Sequence, residues 1–158
     1  MNILFVCTHN RCRSILCEAL ANHLGGGRLR AFSAGSQPAG EVHPQTLGHL
    51  KARGVPTSGL HSKSWDVFVD EPLDVVITVC DSAASEACPL RQGDAVTVHW
   101  GLPDPSRTSG SQAAVDAAFY QVIEVIERRI GRLLGLQFGA LDPPALRRAL
   151  QAIANKEN

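Results

Sequence analysis

The sequence has no excess of either charge: 15 Lys and Arg stand against 15 Asp and Glu in 158 residues, for a formal net charge of zero. No overall field of one sign is available to gather nucleic acid or an anionic lipid surface, which argues against a polyanion-binding role. Long apolar runs are missing as well. Residues 3–6 and 75–79 are strand length, well short of the roughly 18 residues needed to cross a bilayer, so no membrane partner is expected. A basic, apolar leader is absent: Met1 and Asn2 carry no basic side chain and a polar stretch opens at Thr8, so a cytoplasmic location is expected. Internal repeats, long linkers and low-complexity tracts are lacking, and an apolar content of 44% fills one core rather than two, which predicts a single unit. The four-ligand spacings CxxC and HxxxH are also missing, which disfavours a structural zinc site. Five cysteines cannot all pair with one another, and a reducing compartment keeps most as thiols, so each needs a reason other than a static scaffold.

What is present is an alternation of strand-like and helix-like segments. Residues 3–6 form an apolar run followed by a polar turn, and residues 15–24 then show helical spacing until Gly25, Gly26 and Gly27 stop it. A second strand is predicted over 28–33, a helix over 44–53 closed by Gly54, a doubly buried strand over 75–79 and a fourth strand over 95–100. From 111 to 134 the apolar positions Val115, Phe119, Val122, Ile123, Ile126, Ile130, Leu133 and Leu134 recur every three or four residues, the stripe of a long amphipathic helix. Asp142-Pro143-Pro144 opens a last short helix carrying Leu146, Leu150 and Ile153, with a polar end over 155–158 expected to fray. The order predicts a single-domain three-layer α/β sandwich: a central, mostly parallel four-stranded sheet with helices on both faces.

Between the first strand and the first helix lies Cys7-Thr8-His9-Asn10-Arg11-Cys12-Arg13-Ser14, a C-x5-R-S pattern. A loop entering a helix turns several unpaired backbone N–H groups toward one point, and the helix dipole adds positive potential there, so an oxyanion fits over residues 8–14. Arg13 can offer two parallel donors to a tetrahedral anion, which Lys could not do in the same geometry. The same surroundings favour thiolate at Cys7, and the Ser14 hydroxyl is close enough in sequence to bond the sulfur. Cys7 then reads as a nucleophile beneath an anion; the plainer reading makes it an inert residue at a strand end and Arg13 a solvated charge. Cys17, among apolar helix neighbours, reads as a small core residue. Cys12 either packs the loop or pairs with Cys7 under oxidation. His9 reads as an exposed loop residue, and Asn10 as one that fixes the loop through side-chain bonds to the backbone. In open α/β sheets catalytic groups gather beyond the carboxyl ends of parallel strands, and Cys7, Cys80 and Asp104 each follow such a run. A carboxylic acid near a bound oxyanion can protonate a leaving oxygen, although an Asp before Pro105 also suits a simple turn.

The segment 7–14, with the Asp104-Pro105 pair and the order of elements, resembles the low-molecular-weight protein tyrosine phosphatases and the arsenate reductases built on the same fold. Those families often carry Gly where this chain has His9, so His9 must be tolerated there, and His enters left-handed conformations more readily than most residues. The resemblance implies that residues 1–140 are the phosphatase-like arsenate reductase domain and 141–158 a C-terminal helical extension of it. It makes Asp104 the general acid. Cys80 and Cys88, set in Val79-Cys80-Asp81 and Ala87-Cys88-Pro89, look like the reductases' thiol pair, which the phosphatases do not need.

What the resemblance implies is reduction of arsenate to arsenite. Cys7 forms a thiol-arsenate adduct, a Cys7–Cys80 disulfide and then a Cys80–Cys88 disulfide follow, and an external thiol donor resets the protein. The donor would be thioredoxin, or glutathione with glutaredoxin, and no tightly bound cofactor is implied. If residues 80–88 were wholly helical the two Cα atoms would stand about 12 Å apart in rise, beyond the roughly 7 Å a disulfide bridges, so the segment must refold on oxidation. Some reductases also hold an alkali cation near this loop, and Asn10, Glu18, Ser33 and Asp66 stand roughly where its ligands would fall; Glu18 and Asp66 otherwise suit ordinary helix and cap positions. Two other functions stay open. One is a tyrosine phosphatase acting through a Cys7 phosphoenzyme, though Ser106-Arg107-Thr108 follow the Asp-Pro pair where such enzymes put aromatics, and Tyr120 is the only tyrosine. The other is a non-catalytic thiol or metal sensor.

Overall fold

Two apolar runs, 3–6 and 75–77, have no solvent exposure at all in the computed structural model, which describes residues 1–86 and 88–156. Unbroken apolar runs suit strands covered on both faces, whereas alternating ones suit strands with a wet side. Among the described residues the elements are β1 (Asn2–Cys7), α1 (Arg13–Gly25), β2 (Arg30–Gly35), α2 (Pro44–Ala52), β3 (Val75–Thr78), α3 (Asp81–Ser85), β4 (Val96–His99), α4 (Gln112–Leu134) and α5 (Pro143–Asn155), with short 3-10 turns between some of them. The four strands form one parallel sheet in the order β2-β1-β3-β4. This is the expected single-domain α/β sandwich, with a sheet that is parallel throughout.

The order has a consequence for chemistry. The chain leaves β1 to one side for β2 and returns to lay β3 on the other side, so the loops after β1 and β3 diverge above neighbouring strands and leave a crevice at their carboxyl ends. The register aligns Val6 with Thr78, and Val79 N donates to Val6 O at 2.9 Å. Cys80 therefore emerges beside Thr8, one residue past the nucleophile position.

The helices close the layers around this edge. α1 buries residues on almost every side, including Ile15, Leu16, Cys17 and Leu20, because it packs on β1, β2 and α4 together. It stops where Gly26 takes φ +55°, a left-handed cap that costs Gly least. α4 buries Phe119, Val122, Ile123, Ile126, Ile130 and Leu133, the predicted stripe, and one charge within it, Arg129. Arg129 Nη1 donates to Trp100 O at 3.0 Å and to Gly101 O at 3.3 Å, and the guanidinium lies 5.8 Å from the Trp100 ring. Carbonyl partners and a π face offset its desolvation, so this buried charge fixes the chain where it leaves β4 toward Asp104.

Asp142 caps α5 by accepting from Ala145 N at 2.8 Å, and the helix lays Leu146, Leu150 and Ile153 against the β4 side of the sheet. The Trp100 indole N–H donates to Leu150 O at 2.9 Å. The helix runs through Asn155, and residues 157–158 of the tail expected to fray lie outside the described residues. Leu150 has no exposed surface, so Leu150→Ala is expected to lower stability by about 3 kcal/mol, the middle of the range for a buried Leu truncation. Urea unfolding should show this as a lower midpoint in a single transition; a separate early transition would mean that α5 is not part of the common core.

Candidate active site

The loop over 7–14 is fastened from outside through its carbonyls. Thr8 O accepts from Gln37 N at 2.9 Å, His9 O from Ala39 N at 2.9 Å, Arg11 O from His43 N at 3.0 Å and Cys12 O from Leu16 N at 2.9 Å. Since the N–H and C=O of a peptide plane point in opposite directions, carbonyls drawn outward leave the amides facing the hollow, as an anion-binding nest requires. The turn is completed by Asn10, which has φ +47° and is fully buried. Its Oδ1 accepts from Lys63 N at 2.9 Å and its Nδ2 donates to Ser14 Oγ at 2.8 Å. Among the described residues Asn10 is the one non-glycine with positive φ, so the left-handed position falls on Asn10 and not on His9; a short amide bonded on both ends suits that conformation. His9 is exposed, with Nδ1 3.1 Å from Gln37 O. Gly35 backs the loop so closely that a Cβ there would stand 2.5 Å from Thr8 O.

Over the loop opens a pocket of about 210 Å³ lined by Cys7, His9, Arg11, Cys12, Arg13, Asp104, Ser106 and Arg107. Arg13 reaches across it: Nη1 donates to Leu102 O at 3.2 Å and Nη2 lies 3.5 Å from Asp104 Oδ2. Arg13 Nε is buried with no partner. A buried guanidinium donor at the edge of this loop suits an oxyanion oxygen. Asp104 is held by Ser106, whose N and Oγ donate to Oδ1 at 3.0 and 2.6 Å, and by Arg107, Nε 3.6 Å from Oδ2. Two of the three strand-end segments thus meet at this pocket.

Cys80 shares this site. Its Sγ lies 3.6 Å from Oγ1 of Thr8, the residue after Cys7, and accepts from Ala83 N at 3.4 Å, and the ionisation of each of the two sulfurs bears on the other. Cys7, together with the Ala83 N–H and Thr8, brings Cys80 down to about 5 despite burial. Cys7 is pushed above the ordinary thiol range by Cys80 and by burial, against the pull of Arg13 and the His9 N–H. The two sulfurs therefore titrate together, and the first proton is lost from the pair rather than from either residue alone. Ser14 Oγ, expected to bond the Cys7 sulfur, is taken by Asn10. Cys88 is buried, at the N-cap of the 3-10 turn Pro89–Gln92. α3 between the two cysteines is one helical turn, after which Glu86 is extended, so the segment is not wholly helical. Cys12 and Cys17 are both pushed up to about 12 by burial, so neither is primed to react.

The model of the low molecular weight phosphotyrosine protein phosphatase family matches residues 2–150. The chain belongs to that family. The arsenate reductase of Halalkalibacterium halodurans is 33% identical to it over 128 residues, 81% of this chain and 91% of that protein. The thioredoxin-dependent arsenate reductase of Corynebacterium glutamicum superposes with a TM-score of 0.65 at 31% identity, over 85% of this chain but only 60% of the other. An arsenate reductase in a phosphate-binding state superposes with a TM-score of 0.70 at 28% identity, covering 85% and 96% of the two chains.

In this member of the phosphatase family the region proposed for an alkali cation holds an ammonium group. Lys63 Nζ lies 3.8 Å from Glu18 Oε2, donates to His61 O at 2.9 Å and reaches Ser33 Oγ at 3.4 Å, while Ser33 Oγ donates to Glu18 Oε2 at 2.9 Å. Asp66 sits elsewhere, its N–H bonded to Ser64 Oγ at the start of a 3-10 turn. Of the four residues named for the cation, Glu18 and Ser33 meet at Lys63 Nζ, Asn10 is spent on the loop and Asp66 is not in the cluster. Among the described residues no group of three or more His, Cys, Asp or Glu could hold a metal ion. Sequence reading missed Lys63, Gly35 and Glu86, because each gains its role only from a contact distant in sequence.

Burial raises the Glu18 carboxyl and Lys63 opposes that, while burial lowers the Lys63 ammonium. A carboxyl raised on folding binds more protons folded than unfolded, so its contribution to stability falls as pH rises through its titration. Lys63→Met removes the opposing cation and is expected to cost about 3 kcal/mol at neutral pH. Urea unfolding should show a smaller loss in mild acid, where Glu18 takes up a proton; an equal loss at both pH values would contradict this pairing.

Proposed function

We propose that the protein reduces arsenate to arsenite, with Cys7 as nucleophile, Cys80 and Cys88 as the thiols that carry the oxidation away, and an external thiol donor that restores them. The observation that carries this reading is the place of Cys80 against the oxyanion loop, its Sγ 3.6 Å from Oγ1 of Thr8, the residue after Cys7. A phosphatase needs only the first sulfur, because water completes its reaction; a two-electron reduction needs a second thiol within reach of the first. The relatives named arsenate reductase support the same conclusion.

Arsenate is a tetrahedral anion that the inward amides and the free Arg13 Nε can bind. Cys7 sulfur attacks arsenic while Asp104 gives a proton to the departing oxygen, which leaves as water and yields a thiol-arsenate adduct. Amides and guanidinium already aimed at the oxygens stabilise the crowded transition state without reorganising. Cys80 then attacks the Cys7 sulfur. The S–S bond forms, the S–As bond breaks with its electron pair on arsenic, and arsenic(V) becomes arsenic(III). Cys88 next attacks Cys80, freeing Cys7. Forming that second bridge takes Cys80 Sγ from the Ala83 N–H it accepts from at the head of α3, so the single turn loses its cap and unwinds. Cys88 is buried in the reduced form; the unwinding gives the donor access to the disulfide. Thioredoxin is the donor we assign, on the strength of the thioredoxin-dependent relative, with glutathione and glutaredoxin as the competing route.

Cys80→Ser is expected to abolish multiple turnover of arsenate, followed as arsenate-dependent consumption of reduced thioredoxin. In Cys88→Ser, disulfide mapping by mass after one turnover should find the Cys7–Cys80 bridge accumulated. Recovery of a Cys7–Cys12 bridge instead would mean that the loop protects its nucleophile and that Cys80 is no relay. Replacing thioredoxin by glutathione and glutaredoxin should give the slower reset; the reverse order would overturn the donor assignment.

A further inference from the structure

Thr8 has one hydroxyl proton and two neighbours that can accept it. Its Oγ1 donates to Glu86 Oε1 at 3.1 Å and lies 3.6 Å from Cys80 Sγ. Cys80, Thr8 and Glu86 therefore form a line of contacts from beside the cup to a half-buried glutamate. While Cys80 carries a proton the direction follows: a carboxylate only accepts, so the Thr8 proton points to Glu86 and the Thr8 oxygen accepts from the Cys80 thiol.

The reduction needs such a path. Once the pair has lost its first proton, one proton and one negative charge remain between Cys7 and Cys80. When Cys7 attacks arsenate as the thiolate, the remaining proton is left on Cys80. Cys80 is then a thiol, and a thiol must lose its proton before it can attack a sulfur. Asp104 is on the far side of the pocket, clamped by Ser106, Arg107 and Arg13. The other charged groups about the chain are Arg13 facing Cys7 and the Asp81–His99 pair, 3.1 Å apart, at the head of α3.

We propose that Glu86 is the general base for Cys80, receiving the thiol proton through the Thr8 hydroxyl as Cys80 attacks the sulfur of the Cys7 adduct. The inference rests on the arsenate-reducing reading above. The Cys80 proton moves to Thr8 Oγ1 and the Thr8 proton moves to Glu86 Oε1, so Thr8 is unchanged. The Cys80 electron pair forms the S–S bond, the S–As bond breaks onto arsenic, two sulfurs are oxidised by two electrons in total, and the glutamic acid returns its proton to solvent.

The test uses Cys88→Ser as the parent, in which reaction stops at the Cys7–Cys80 bridge, with acid quenching and mass measurement of the disulfide from about pH 5.5 to about pH 9. Glu86→Gln keeps an oxygen for the Thr8 bond but cannot take the proton. It is expected to slow bridge formation about 100-fold near neutrality, a deficit that shrinks at alkaline pH as Cys80 ionises unaided. Thr8→Val should match it, and Thr8→Ser should restore the parent rate. No deficit in Glu86→Gln, a deficit of one size at every pH, or Thr8→Ser as slow as Thr8→Val would overturn the proton path. A parent that forms no arsenate-dependent bridge would instead defeat the arsenate reading itself, and this step with it.

Discussion

Two sulfurs sharing one proton is the interaction on which this site depends. A lone thiol at the floor of the cup would be a strong nucleophile for an oxyanion but would have nowhere to send the oxidation that follows. A second thiol in contact supplies both a base for the first step and a nucleophile for the next. The cost is that Cys80 and burial raise the Cys7 thiol, against the pull of Arg13 and the His9 N–H. Arsenate would change that balance by bringing an electrophile to the Cys7 sulfur and occupying the amides around it.

The fold enforces this contact by sheet register rather than by loop flexibility. β1 and β3 are hydrogen-bonded neighbours, and the ladder continues to Val79, so the backbone before Cys80 is fixed against the backbone before Cys7. The remaining pieces are braced from different layers. The strap after β2 and α2 hold the carbonyls of the loop, Arg129 of α4 holds the exit from β4, and Lys63 balances the buried Glu18 behind the cup. By contrast α3 has a single turn capped by a sulfur that the chemistry removes. Rigid parts bind the anion, and the short turn is the part that can let go.

Much of the fold was legible because its signals are local. The doubly buried strands read as unbroken apolar runs, α4 as an eight-position stripe, and the end of α1 as a glycine cluster whose second member takes the left-handed cap. Cys7, Arg13 and Asp104 were legible because strand ends gather on one edge of a parallel sheet. Illegible were the effects that only folding creates. Arg129 looked like an ordinary polar position between Ile126 and Ile130, yet it is buried against carbonyls. Lys63 carried no pattern that would set its ammonium beside Glu18, where a bound cation had been expected. The charge on the sulfur pair could not be read either, because it depends on a contact between residues 73 positions apart.

Thiolate absorbance near 240 nm, followed as a function of pH in the reduced protein and in Cys7→Ser and Cys80→Ser, tests the shared proton most directly. One thiolate should appear in the parent at acid pH, near the value of about 5 that Cys7 gives Cys80. Each single substitution should move that titration upward toward the ordinary thiol range, because each removes one half of the pair. Titration of both thiols in the ordinary range in the parent, unmoved by the loss of either partner, would contradict the account.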